Sequence, residues 1–529
     1  QDARPYPVTM TAWDVRLLAR YALPGFVGSL LLSIGALGVG WLPLDPGILE
    51  FASVEALRGT TAGTLIARAL VFVGVALILQ AWLILGHDLL AGSDDPHSLH
   101  GIAPMTLVTV LVAWCAPLLI TPPLFSRDVY SYFAQGRVLA EGRDPYATGV
   151  AVIDDWFQDG VDPMWAETPT PYGPLWLLLA RGVANFASDQ PALGALIFRL
   201  MALVGLALLV VYVPRLAASL GIDPAAAMWL TVLNPLVLMH VVAGAHNDAL
   251  MVGLTVTGLA LAGQGRPVFG VAAIAAAGAV KPIALLALPF AGLLWAGTQA
   301  GWWSRIRAWV LTLLVTVVIF VIASLLAGVG PGWITALSAP GEVRTWLSPS
   351  TALGMLTGMA TTAAGITIND AFVVTIVRTI GTITGVAIIA WLILRPEGRS
   401  PVRGAALAFL TVVLLGPVIQ PWYLLWFLPL FAVAGLTPVQ LRIAIITTAG
   451  FALHGMAESS STSDNLFEFS DGLAIVAAFA VVGLVLLVSP RERRLVLGAP
   501  LNHGLVPSDP EAQARAAASV FRGRIATRE

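Results

Sequence analysis

Long apolar runs, interrupted at short intervals by proline, glycine or a few charged residues, set the pattern of this chain. A helix that crosses a bilayer needs about 20 mostly apolar residues. Such runs lie at 21–42, 65–86, 104–124, 195–216, 226–245, 249–264 and 267–280. They continue at 282–297, 308–328, 371–394, 404–419, 422–435, 442–456 and 472–489. The pattern predicts an all-α polytopic membrane protein of about 14 transmembrane helices, several of them short. Short neighbours split by proline, as around Lys281 and Pro421, are expected to be broken helices that line a cavity. Two further apolar segments, 174–186 and 350–365, would invert the charge pattern downstream if they spanned. They are expected as re-entrant or interfacial helices on the outer face.

Composition agrees with a lipid solvent. Of the 529 residues 58% are hydrophobic and 11% charged, where a soluble domain carries about 25% charged residues. The net charge of -2 lacks the basic footprint of a nucleic-acid binder. The single cysteine, Cys115, lies in an apolar run and reads as a packed small hydrophobe rather than a nucleophile. Every basic side chain except Lys281 is arginine. The first apolar run is too long for a signal-peptide core and lacks a small-residue cleavage site, so it reads as a span that stays.

Arginines fix a direction. Arg16, Arg20, Arg215, Arg266, Arg305, Arg307, Arg395, Arg399, Arg403, Arg442 and the 491–494 cluster fall on one side if both termini are cytoplasmic. The acidic stretches 45–55, 154–167 and 458–471 then face outward. On this reading 1–103 carries two extra spans, 104–489 forms a core with a long outer segment at 125–195, and 490–529 is a polar cytoplasmic tail.

Polar chemistry gathers at the predicted outer ends. Arg127-Asp128 follows the third span, and a carboxylate at that depth can accept a proton from a sugar hydroxyl; a helix cap or a local Arg-Asp pair is the plain alternative. Tyr130, Tyr132, Tyr146, Trp156, Trp165, Tyr172 and Trp176 can stack on sugars or form an ordinary aromatic belt. His246-Asn247-Asp248 could bind a divalent ion, hydrogen-bond a polar substrate or form a polar turn. Lys281, before Pro282, reads as a lone cation for a phosphate, with Arg344 and Arg378 as companions. Arg378 lies well inside a span and is functional by default unless it snorkels. Gln420-Pro421-Trp422-Tyr423 is a candidate lid or sugar platform, or a Pro-broken turn.

The order of these motifs resembles one group. An outer Asp after a span, Tyr172-Gly173-Pro174-Leu175, an outer His-Asn-Asp, a Lys-Pro break and a late Gln-Pro-Trp-Tyr are together similar to the GT-C superfamily of integral-membrane glycosyltransferases. Within it the chain looks most like the actinobacterial polyprenol-phosphomannose-dependent α-1,6-mannosyltransferases of the MptA/MptB type, over roughly residues 105–489. The resemblance implies inverting transfer of mannose from polyprenyl-phosphate mannose to a lipid-anchored α-1,6-mannan acceptor in lipomannan and lipoarabinomannan synthesis, on the outer face of the plasma membrane. It places the base at Asp128, and the donor phosphate at Lys281, Arg344, Arg378 and Arg127. The sugars would lie among Tyr130, Tyr172, His246, Asn247, Asp248, Gln420, Trp422 and Tyr423. No cofactor is required by this logic, although some members of the superfamily use a divalent metal.

Three other readings compete. A transferase of another polyprenyl-phosphate sugar, such as arabinose, would share the architecture. A transporter or flippase would show repeated halves and midplane polar residues, whereas here no repeat is visible and the polar nodes gather at one face. An inactive scaffold leaves Asp128 and Arg378 without a purpose.

Overall fold

The computed structural model describes residues 18–43, 47–91, 99, 102–297, 300–336, 344–366, 369–457 and 505. Among them every regular element is helical. The principal helices are α1 (Leu23–Val39), α2 (Thr61–Leu90), α3 (Pro104–Cys115), α4 (Asp128–Ala140), α5 (Pro174–Ala187), α6 (Pro191–Ser219), α7 (Pro224–Thr231) and α8 (Asp248–Gly263). They continue with α9 (Pro267–Val280), α10 (Leu288–Ala296), α11 (Trp302–Ala327), α12 (Pro349–Ala363), α13 (Asp370–Leu394), α14 (Pro401–Leu415), α15 (Leu424–Ala434) and α16 (Pro438–Ala457).

Each predicted span up to 442–456 falls on a described helix; 472–489 and the tail 490–529, apart from residue 505, lie outside the described residues. Five helices are long and apolar enough to cross a membrane unaided, and six if the pair Val237–Ala243 and Asp248–Gly263, bent by 111°, counts as one broken span. Five shorter apolar helical segments of 10–17 residues stand beside them, such as Pro267–Val280 and Pro282–Ala296. The two unassigned segments are both helices, α5 and α12. The segment 125–195, expected on the outer face, is no open loop, because α4 and α5 pack against each other within it.

Packing follows membrane rules. Leu313, Leu314, Val317, Val318, Leu325 and Leu326 of α11 are exposed, as a helix face in hydrocarbon would be. Helices meet instead through small residues. A Cβ on Gly28 of α1 would lie 2.7 Å from the Gly74 carbonyl of α2, so the two backbones approach as closely as glycine permits.

The extra N-terminal pair is tied to the core. Trp82 of α2 and Trp229 of α7 stack at 4.9 Å, and each indole N–H donates to the other residue's carbonyl, at 3.1 and 2.8 Å. Buried Asp88 accepts from Arg20 at 2.8 Å and from Tyr21 at 2.7 Å, which ties the turn before α1 to the end of α2.

Candidate active site

Several chain breaks, distant in sequence, meet at one end of the helices. The first follows the 3-10 turn Ala116–Ile120. Phe125 turns the chain with φ +67°, a conformation that costs a non-glycine residue about 1–3 kcal/mol. Ser126 Oγ then accepts the Asp128 amide at 3.0 Å. Asp128 thereby opens α4 with its carboxylate 19% exposed at the bottom of the break. The N-cap residue of α4 is Arg127, and its side chain makes no capping bond. The Arg127 guanidinium lies instead over the Trp41 ring at 3.8 Å.

The second break follows Val237–Ala243. Ala245, at φ +54°, turns the chain into His246-Asn247-Asp248, which are 0%, 1% and 1% exposed. His246 Nδ1 lies 2.8 Å from the His240 carbonyl. A carbonyl only accepts, so the proton sits on Nδ1. His246 Nε2 faces Asp128 Oδ2 at 3.7 Å. Neither amide atom of Asn247 has a hydrogen-bond partner among the described residues. Buried polar atoms left so cost about 1–3 kcal/mol each, and hydroxyl groups are suited to satisfy them.

The third break is Lys281-Pro282. Proline cannot continue α9, and the chain restarts as a 3-10 turn. Lys281 Nζ donates to both Asp248 oxygens, at 2.8 and 2.9 Å, and Trp426 Nε1 donates to Asp248 as well. The ammonium sits among the rings of Tyr172, Tyr423 and Trp426, at 5.8, 5.6 and 5.3 Å. Tyr172 is brought there by its neighbour: the Gly173 amide donates to the Val280 carbonyl at 3.0 Å. A Cβ on Gly173 would meet the Ala279 carbonyl at 2.3 Å, so this approach needs glycine.

The fourth break is Pro421–Tyr423, before α15. Trp422 packs on the His246 ring at 4.2 Å, and Tyr423 stacks on Trp426 at 3.8 Å. One carboxylate, one imidazole, one ion pair and an aromatic wall thus share a cleft. Burial pushes the Asp128 carboxyl above its usual range; His246 and Lys281 pull it back, and Asp162 and Asp248 push it further up. A raised carboxyl is a stronger base.

Sequence comparison identifies the kindred of this cleft. Residues 22–297 match the alpha-(1->6)-mannopyranosyltransferase N-terminal domain, and residues 350–488 match the MptB C-terminal domain. The chain belongs to the alpha-(1->6)-mannopyranosyltransferase family. It is 38% identical to alpha-(1->6)-mannopyranosyltransferase A of Mycobacterium tuberculosis, over 81% of this chain and 82% of that one. The A and B enzymes of Corynebacterium glutamicum are 32% and 29% identical, over 74% and 82% of this chain and 84% and 76% of theirs. No solved structure matches.

Within this family member the cleft gathers most of the motifs singled out in the sequence, and it also corrects the reading of several. Lys281 is not a lone cation: Asp248, 1% exposed, needs a counter-charge and holds it. Arg378 donates to Thr351 Oγ1 at 2.8 Å and to the Pro417 carbonyl at 3.3 Å, so it ties α13 to α12 and to the segment before Gln420. Arg344 is exposed beside 337–343 and enters none of these contacts. Tyr130 is 1% exposed and donates to the Trp41 carbonyl at 3.0 Å, on the far side of α4 from the cleft. Tyr132, Tyr146, Trp165 and Trp176 are likewise buried, so they form a floor rather than a belt. Half-buried Gln420 accepts the Tyr423 amide with its carbonyl.

Arg199 escaped the sequence reading. Only 4% exposed in α6, it donates to the carbonyls of Leu119, Thr121, Val242 and Ala243, the ends of the segments that present Asp128 and His246. An arginine inside an apolar run was the available signal. Trp426, hidden in an apolar helix, carried none. Among the described residues no three of His, Cys, Asp and Glu are grouped to hold a metal ion, and the Asp248 half of the His-x-Asp spacing is engaged by Lys281.

Proposed function

We propose that this protein is an integral-membrane glycosyltransferase of GT-C type that transfers mannose from polyprenyl-phosphate mannose to an α-1,6-mannan acceptor, with inversion. The observation that carries the reading is the meeting of Asp128, His246, Lys281 and Trp422 at one end of the helices, from positions spread between residues 128 and 422. The family names of the relatives supply the sugar and the linkage. The short helices joined at proline breaks count here as spans, which gives about 14 crossings, with the active site outside and both termini in the cytoplasm. The product is assigned to the mannan backbone of lipomannan and lipoarabinomannan.

In this mechanism the Asp128 carboxylate takes the proton of the acceptor hydroxyl while the hydroxyl oxygen attacks the anomeric carbon. The bond to the lipid phosphate breaks, and its electron pair leaves with the phosphate, beside the ammonium of Lys281. Arg127 and Arg344 remain the outer candidates for the rest of the phosphate charge. Asn247, Gln420 and the rings of Tyr172, Trp422 and Tyr423 hold the sugars.

The test is transfer from polyprenyl-phosphate mannose to a short α-1,6-mannoside by the purified protein and by Asp128→Asn. The parent transfers and the folded variant loses at least ~100-fold. Because only the ionised carboxylate accepts a proton, parent activity falls as pH drops through the raised Asp128 pKa, above the ordinary value of about 3.9. Full activity in Asp128→Asn, or transfer of arabinose in preference to mannose, overturns the assignment.

A further inference from the structure

We propose that His246 is the positioning and proton-accepting partner of Asp128, rather than a sugar ligand; this rests on the mannosyl-transfer reading above. Three features of the geometry converge. The His240 carbonyl fixes the tautomer, because His246 Nδ1 must donate to it at 2.8 Å. The lone pair of Nε2 is thereby left free, and among the described residues Nε2 is buried without a hydrogen-bond partner. The group it faces is Asp128 Oδ2, at 3.7 Å.

Two acceptor atoms facing each other across that gap repel unless a proton lies between them. The pair therefore takes up one proton in each turnover, the one released by the acceptor hydroxyl, and that proton has a route. Asp128 takes the acceptor's proton on one carboxyl oxygen as the new glycosidic bond forms and the bond to phosphate breaks. The acid then turns its O–H to His246 Nε2, which needs about 0.8 Å of closing to reach ordinary hydrogen-bond length. The carboxylate is regenerated, and between turnovers the imidazolium, its Nδ1–H still on His240, returns the proton to water through Asp128, whose carboxylate is 19% exposed. No other reactant is consumed.

The surroundings suit this task. Trp422 covers the imidazole at 4.2 Å and His240 lies at 5.7 Å. Asp248 and Lys281 are the other charged groups facing it; their mutual bond leaves Asp128 as the carboxylate without a fixed partner. Trp422 lies on the ring and both nitrogens face protein atoms, Nδ1 the His240 carbonyl and Nε2 Asp128.

His246→Asn keeps a donor for the His240 carbonyl and removes the Nε2 acceptor; His246→Gln does the reverse. In the transfer assay His246→Asn should lose ~10–100-fold in kcat with donor and acceptor KM within about twofold, and His246→Gln should lose less. The acid limb of its pH profile should move to higher pH, since a group that can carry positive charge near Asp128 is gone. A substrate-free readout runs beside it: carbodiimide labelling of Asp128 against pH, followed by mass spectrometry, should show the same upward shift. Parent-like kcat and labelling in His246→Asn overturn the proposal, as does a loss confined to KM. A labelling shift in a protein that transfers no mannose would uphold the pair and reject the donor assigned above.

Discussion

At the residue scale the pairing of Lys281 with Asp248 changes what each can do. Two of the three ammonium protons are bound to one buried carboxylate, which leaves one donor, held in a fixed position, for the phosphate of the proposed donor substrate. Breaking such a pair from one side leaves a buried charge, at a cost of about 3–5 kcal/mol. Lys281→Met should therefore lower the melting midpoint strongly and abolish transfer. Adding Asp248→Asn should restore most of the stability and none of the activity. If the double variant melts as low as the single one, the ion pair is not what Lys281 contributes. Both residues stand out in the sequence, Lys281 alone in an apolar stretch and Asp248 at the end of the polar run His246-Asn247-Asp248. Their partnership does not, because nothing in the spacing of two residues on different helices says that their side chains touch.

At the element scale the sequence is legible in one dimension and silent in the next. Apolar runs and prolines locate helices and breaks, since both signals are local. Which helices face each other is not local. In hydrocarbon every face is apolar, so no amphipathic stripe marks the inward side, and contact is marked by small residues that also occur elsewhere. Arg199 illustrates the loss: it is visible as an arginine in a span, but the four carbonyls it gathers come from two other segments. Gly173 illustrates the gain once the fold is known. Its missing Cβ lets Tyr172 reach Lys281, and Gly173→Ala would push the loop off the Ala279 carbonyl, now 2.3 Å from the position of that Cβ. Overpacking of this kind costs about 1–3 kcal/mol. We expect Gly173→Ala to melt a few degrees lower and to lose at least ~10-fold in transfer. A variant that keeps full activity would show that Tyr172 need not sit beside the ammonium.

At the scale of the whole molecule the two ends of the bundle are chemically unlike. One end holds the cleft, its aromatic floor and the ion pair of Arg137 with Asp159. The other holds arginine-rich turns, including Arg305 against Glu397 at 3.2 Å and Arg403 on the Gly435 carbonyl at 2.7 Å. Arginine retained at one end is the pattern of a cytoplasmic face, and in the orientation we propose the cleft lies on the opposite side. The polarity can be read directly, because the single cysteine, Cys115, is buried and gives little background. Glu141, in the exposed turn after α4, and Glu397, in the exposed turn after α13, mark the two ends. In intact cells a membrane-impermeant maleimide should label Glu141→Cys at once and Glu397→Cys only after the membrane is opened. The reverse order would turn the cleft toward the cytoplasm, where a donor presented on the outer leaflet could not reach Asp128. Equal labelling of both before opening would mean that these turns do not lie on opposite sides of a membrane, and the alternation of arginine-rich and acidic ends would need a different cause.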